Sequence, residues 1–243
     1  PGGDAMAVFR IAEQCAVGDF TAINPTGSYL SYYPHQIGLV AYYEIVLRIW
    51  NLLPVGLIGF HFIKVLNVFW TCLMIFCQYK TIHLLFHNTK INVTYLFLMI
   101  CNIPLLFYSS FVYGEIPSIS LFSLGYLCVL KIYELTGAPS EPKRNKNLLG
   151  YTLLSFLAFT GCMMLRKNAM ILMLAVMGVT LFELLRHRKI TLLGTLLVYI
   201  LITFCTLPMV RGIYEHRARN ELNSGVTALS YIAMGMQESN RAD

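Results

Sequence analysis

The chain has 243 residues, of which 57% are hydrophobic and only 12% charged, with a formal net charge of +6. A soluble domain carries about 25% charged residues, so half that share cannot cover a water-exposed surface. The composition excludes a soluble domain and specifies an integral membrane protein, whose positive excess reports loop orientation and anionic lipid and not nucleic acid.

Residues 1–36 are polar and turn-rich, and they precede a ladder of apolar stretches. Asp4 follows two glycines, and Ala5, Val8, Phe9, Ala12 and Cys15 then recur at helical spacing. This predicts an amphipathic helix with Asp4 at its N-cap. Asp4 is either a cap alone or a carboxylate at the edge of an aqueous cleft, available as a general base. The run from Gly27 to Gln36 is a turn followed by an aromatic-polar cluster, with Tyr32, Tyr33, Pro34, His35 and Gln36 in succession. Tyrosines favour the membrane interface, and aromatic faces beside His and Gln donors also suit a sugar ring. A lone His35 is not a metal site.

Residues Ile37–Leu53 are apolar but short, and Glu44 and Arg48 stand in the favourable i, i+4 order for a helical ion pair. Such a pair is costly in mid-bilayer, which predicts a helix lying at the membrane surface. The alternative is a full crossing, which would invert the sides of everything after it. Six stretches then approach the ~20 apolar residues that a crossing needs: Val55–Gln78, Ile91–Phe111, Ile116–Leu135, Leu148–Leu165, Ala169–Leu185 and Ile190–Val210. His61, Lys64 and Asn67 form a narrow polar stripe on the first. The turn Tyr113-Gly114-Glu115 holds an acid that is either solvated or converges on the cleft of Asp4, where two carboxylates could bind a divalent cation or substrate hydroxyls. Arg166, Lys167 and Asn168 separate the fourth and fifth stretches, where the cations either snorkel or bind phosphate.

Counted this way, Lys90, the Lys143-Arg144-Lys146 loop and the Arg186-His187-Arg188-Lys189 loop share one side, which the positive-inside rule makes cytoplasmic. Residues 1–54, the turn at Glu115, the turn at Arg166 and the segment 211–243 share the other, outer side. Arg166, Lys167, Arg211, Arg217 and Arg219 run against the rule there, and binding an anion would explain them. Of the seven cysteines, Cys15, Cys72, Cys77, Cys101, Cys128, Cys162 and Cys205, all but Cys15 lie in apolar stretches and none forms a CxxC pair. They read as small hydrophobes and not as a disulfide framework or zinc site. The expected fold is all-α: one polytopic helical bundle of about six transmembrane helices over residues 55–210, between external interfacial segments. The start at Pro1 and the polar end give the expectation of a fragment, with at least one further span before it.

The order of these motifs resembles the GT-C superfamily of multi-spanning glycosyltransferases, in particular the bacterial members of the branch of protein O-mannosyltransferases and lipid A aminoarabinose transferases. The resemblance runs from Asp4, through Gly18-Asp19-Phe20 and Tyr32-Tyr33-Pro34-His35-Gln36, to Tyr113-Gly114-Glu115 and Arg166-Lys167-Asn168. It implies a sugar transferred from a polyprenyl-phosphate donor to a hydroxyl of an acceptor glycan, lipid or protein, on the extracytoplasmic face of the cell membrane. Asp4 takes the place of the acid that activates the acceptor, and Glu115 that of a second external acid. Arg166 and Lys167 would stabilise the leaving phosphate, while Tyr33, His35, Gln36 and Glu115 would position sugar or acceptor. The interfacial helix begins here without an acid or lysine, a departure that puts the branch's metal site in question and leaves the metal requirement open. Residues Tyr231–Glu238 look like a surface helix of the family's later loop. The alternative functions are a polytopic transporter or lipid-linked glycan flippase, which would need charges along a path through the bilayer, and a non-enzymatic membrane scaffold.

Overall fold

A computed structural model describes residues 3–23, 26–52, 59–137 and 142–226, without the side chains of residues 137 and 142–144. Within them all regular structure is helical. Helix α1 (Asp4–Ala16) buries Ala5, Val8, Phe9, Ile11, Ala12 and Cys15, the face that the spacing predicts. It ends at Gly18, whose φ of +90° lets the chain turn back while Gly18 and Asp19 donate to the last carbonyls. Asp19 then closes a tight turn by accepting from the amide and hydroxyl of Thr21 at 2.9 and 2.7 Å, and these bonds hold its carboxyl below the usual range. Helix α2 (Tyr29–Tyr32) is capped by Ser28. A 3₁₀ turn over Pro34–Gln36 leads into α3 (Ile37–Asn51).

Among the described residues five helices are long and apolar enough to cross a membrane, which gives the chain the build of a multi-pass membrane protein: α4 (Gly59–Phe86), α7 (Glu115–Gly137), α8 (Pro142–Leu165), α9 (Ala169–His187) and α10 (Ile190–Ala218). The sixth stretch, Ile91–Phe111, is not one helix. It forms α5 (Thr89–Ile100) and α6 (Ile103–Tyr108), interrupted at Cys101 and Asn102. The break has a local cause: Pro104 has no amide to continue the ladder, and the Asn102 side chain accepts from the Leu105 amide at 3.1 Å and starts a new helix. The segment still returns along α4, because His83 meets Asn92 at 2.9 Å, Tyr95 donates to Gln78 at 2.8 Å and Asn67 donates to the Phe111 carbonyl at 3.0 Å. Helix α10 continues through Pro208 beyond its expected end.

The chain therefore alternates between two bundle ends. Buried hydroxyls and amides tie the helices together: Ser118 to the Cys162 carbonyl, Tyr133 to Thr180, and Tyr199 to Ser155, as expected where packing and hydrogen bonds drive association. Gly125 packs on Phe159 and Gly161 on Leu121, which brings α7 and α8 close. The polar stripe on α4 divides: Asn67 is buried, whereas His61 is exposed and Lys64 lies over the Phe60 ring at 5.2 Å.

Helix α3 is shorter than the membrane-length helices: its 15 residues span about 22 Å, and it packs against α1, α4, α8 and α10. Gly38 rests on the Met164 carbonyl, Leu39 on Gly114 and Leu47 on Gly59. The expected Glu44–Arg48 pair is present at 2.8 Å. Glu44 is also bonded by Tyr214 and Arg217 of α10, and Arg48 donates to the Cys15 carbonyl of α1 at 3.0 Å. One buried carboxylate thus fastens α1, α3 and α10, and a hydrophobic cluster of Val8, Phe9, Leu39, Val40, Tyr43 and Ile63 fills the space between them. Pro54 and Tyr231–Glu238 lie outside the described residues.

Candidate functional site

At the end covered by α1 and α3 is an open cavity of about 650 Å³. The start of α1 supplies Asp4, the α2–α3 junction supplies Tyr32 to Gln36, and Tyr113 stands before α7. The α8–α9 turn adds Lys167 and Asn168, and Ser224 to Val226 close one side. Residues from both ends of the sequence meet here because every return of the chain to this end delivers a turn to the same place.

Asp4 is not an N-cap. Gly3 holds that position with φ +86°, and Asp4 is the first residue of the helix. Its carboxylate belongs to the cavity lining, and its negative charge sits favourably at the helix start. Tyr33, His35 and Gln36 line the same cavity. The His35 ring meets Tyr33 edge-on at 6.2 Å. Burial, followed by nearby Lys167 and Arg166, holds its imidazole below the ordinary range, so it is neutral near pH 7.

The remaining sequence-derived residues separate. Lys167 lines the cavity. Arg166 instead pairs with Glu115 and lies over the Tyr113 ring at 4.5 Å. Glu115 and Arg166 thus stand behind the cavity wall. Arg211 and Arg217 also have carboxylate partners, Glu215 at 2.8 Å and Glu44 at 2.6 Å, so internal pairing accounts for three of the cations that the sequence places against the positive-inside rule. Among the described residues Lys167 makes no ion pair and faces the cavity. The same residues contain no group of three or more His, Cys, Asp or Glu placed to hold a metal ion.

Sequence reasoning did not assign Tyr113 or the segment Ser224–Val226 to the site. The Tyr113 hydroxyl accepts from Gln36 Nε2 at 2.9 Å, lies 3.2 Å from the Tyr29 hydroxyl and donates to Asp4 Oδ2 at 3.5 Å. Its place beside Gly114-Glu115 in a cleft-side turn was the available signal. The segment after α10 folds back because Arg211 donates to the Leu222 carbonyl while Glu215 accepts from the Leu222 amide. Val226 then donates to the Tyr32 carbonyl at 3.1 Å. Gly225, with φ +82°, presses on Pro34, where a Cβ would stand 2.5 Å from the ring.

A second, more apolar cavity of about 450 Å³ adjoins the first and shares Pro34, His35, Lys167, Met170 and Ser224 with it. It runs between α8, α9 and α10 over Met163, Phe204, Leu207 and Pro208, with Arg211 on its border. No protein-family model matches the chain, and neither does a curated protein sequence or a solved structure.

Proposed function

We propose that the protein is a membrane glycosyltransferase that moves a sugar from a polyprenyl-phosphate donor to an acceptor hydroxyl on the outer face of the cell membrane. The observation that carries this reading is a cavity lined by the Asp4 carboxylate and by Lys167, a lysine with no ion-pair partner among the described residues, that adjoins a more apolar groove between membrane-length helices. A lipid-linked sugar phosphate has the same division: a polar headgroup, an anionic joint and an apolar chain.

In this reading the isoprenoid chain lies in the groove and the phosphate meets Lys167, beside the amino-terminal end of α9, where the helix dipole favours an anion. The sugar occupies the larger cavity against Tyr33, His35 and Gln36. Asp4 accepts the proton of the acceptor hydroxyl as its oxygen bonds to the anomeric carbon. The bond from that carbon to the phosphate oxygen breaks on the opposite face, polyprenyl phosphate leaves with the electron pair, and the centre is inverted. Lys167 stabilises the charge that develops on the leaving group. Arg166 acts one layer back, by holding Tyr113 and Glu115.

The transporter or flippase reading calls for charge along the bilayer path. The buried polar groups of the spans are instead Ser, Thr and Asn, and the buried charge among the described residues is Glu44 on α3. The test uses the full-length protein in proteoliposomes with a panel of radiolabelled polyprenyl-phosphate sugars and, separately, nucleotide sugars. The expected result is transfer of label to an acceptor from a lipid-linked donor and none from a nucleotide sugar. Movement of intact lipid-linked sugar across the bilayer without cleavage would instead establish the flippase reading.

A further inference from the structure

We infer that the turn between α9 and α10, at the bundle end away from the candidate site, is a binding site for an anionic phospholipid. A cavity of about 330 Å³ lies there, lined by Leu184, Leu185, Arg188, Lys189, Ile190 and Leu193. Every lining residue comes from α9, α10 or the turn that joins them. Leu185 and Ile190 are 68% and 77% exposed, so the cavity opens outward to the surroundings of the helices and not into the bundle.

The lining is ordered as a phospholipid is. Arg188 and Lys189 stand at the turn, while Leu184 precedes Arg188 by four residues and Leu193 follows Lys189 by four. At 1.5 Å per helical residue the leucines lie about 6 Å deeper along the membrane-length helices than the cations. A phosphate at the turn thus leaves its acyl chains beside leucine. The turn also keeps its charge. Arg188 takes the left-handed position, φ +51°, that glycine usually fills after a helix, and its amide donates to the Leu184 carbonyl at 2.7 Å. A cation therefore stands where most such turns have no side chain. Arg188 makes no ion pair among the described residues. Lys189 donates to the Thr136 carbonyl at the end of α7, a neutral partner that leaves its charge in place. Glu183, the acid closest in sequence, is engaged by His187 at 3.2 Å. Cations at a membrane surface attract anionic headgroups and discriminate against zwitterionic ones.

The test uses the full-length protein in phosphatidylcholine nanodiscs that carry a trace of photoactivatable lipid. That lipid is either phosphatidylglycerol or phosphatidylcholine, with the same diazirine-bearing acyl chain. After irradiation and digestion, mass spectrometry measures the cross-link yield on the segment Leu184–Leu193. Mapping to one segment keeps lipid held elsewhere out of the result. We expect several times more cross-link from phosphatidylglycerol than from phosphatidylcholine. Arg188→Gln should lower the phosphatidylglycerol yield about fivefold, the weight of one cation facing an anionic headgroup. Its phosphatidylcholine yield and melting temperature should match wild type, because no ion pair is broken. Arg188→Lys keeps the charge and should keep most of the selectivity. Equal yields from the two lipids in wild type would show an unselective lipid annulus and overturn the inference. A phosphatidylglycerol yield that Arg188→Gln leaves unchanged would overturn it as well. The readout needs no turnover and is independent of the proposed sugar transfer.

Discussion

Arg166 and Lys167 are adjacent in sequence, yet their surroundings give them different work. Arg166 is three-quarters buried and tied to Glu115, whereas Lys167 opens onto both cavities. A charge-assisted hydrogen bond contributes about 1.5–3 kcal/mol. Lys167→Gln should therefore raise the KM for donor roughly tenfold or more at an unchanged melting temperature. Arg166→Gln should lower the melting temperature, since it leaves Glu115 without its partner. Equal effects of the two substitutions on donor KM would contradict this division. Glu44 supplies a second case. Burial raises its pKa, but the bonds from Arg217, Tyr214 and Arg48 prevail and hold it below the ordinary value. A depressed carboxyl stabilises the fold above its unfolded pKa of about 4.3, and that stability is lost as pH falls through the lower folded value. The melting temperature of wild type should thus exceed that of Glu44→Gln at pH 7, and the gap should narrow below about pH 4. A gap independent of pH would show that Glu44 acts by shape alone.

Among the elements, the glycines discriminate between close and loose contacts. A Cβ on Gly38 would stand 1.8 Å from the Met164 carbonyl oxygen, a backbone atom that cannot swing aside, while a Cβ on Gly178 meets nothing within 4 Å. Gly38→Ala should push α3 off α8 and destabilise by about 1–3 kcal/mol or more. Gly178→Ala should be neutral or slightly stabilising, because alanine is the better helix former by up to about 1 kcal/mol. Thermal unfolding of the two variants in detergent checks the contrast, and equal losses would contradict the packing described. Much of this level was legible in the sequence. The spacing of Ala5, Val8, Phe9, Ala12 and Cys15 gave the buried face of α1, and the Glu44–Arg48 spacing gave the ion pair that α3 carries. The break in Ile91–Phe111 was not read, because hydropathy averages over Asn102 and Pro104, whose effects are local. Nor could local spacing reveal that Glu44 would find Arg217, or Gln36 find Tyr113, since those contacts join residues 173 and 77 positions apart.

At the scale of the whole molecule, each return of the chain brings a turn to one bundle end, so Asp4, Tyr33 to Gln36, Tyr113, Lys167 and Ser224 meet although they span most of the sequence. The opposite end carries Lys90, Arg186, Arg188 and Lys189 with fewer acids. The proposed reading puts that end on the cytoplasmic side, in line with the positive-inside rule. A cysteine placed at Asn168 should then react with a membrane-impermeant thiol reagent on intact cells, and one at Arg188 only after permeabilisation. The reverse pattern would put the cavity on the cytoplasmic side and remove the lipid-linked donor from reach. The central claim, that this cavity transfers sugar through Asp4, is tested most directly by comparing wild type and Asp4→Asn in the polyprenyl-phosphate transfer assay at equal levels of folded protein. A single positioned base contributes about 10²–10⁴-fold, and the account predicts a loss of kcat in that range for Asp4→Asn. Transfer by Asp4→Asn at the wild-type rate would contradict it.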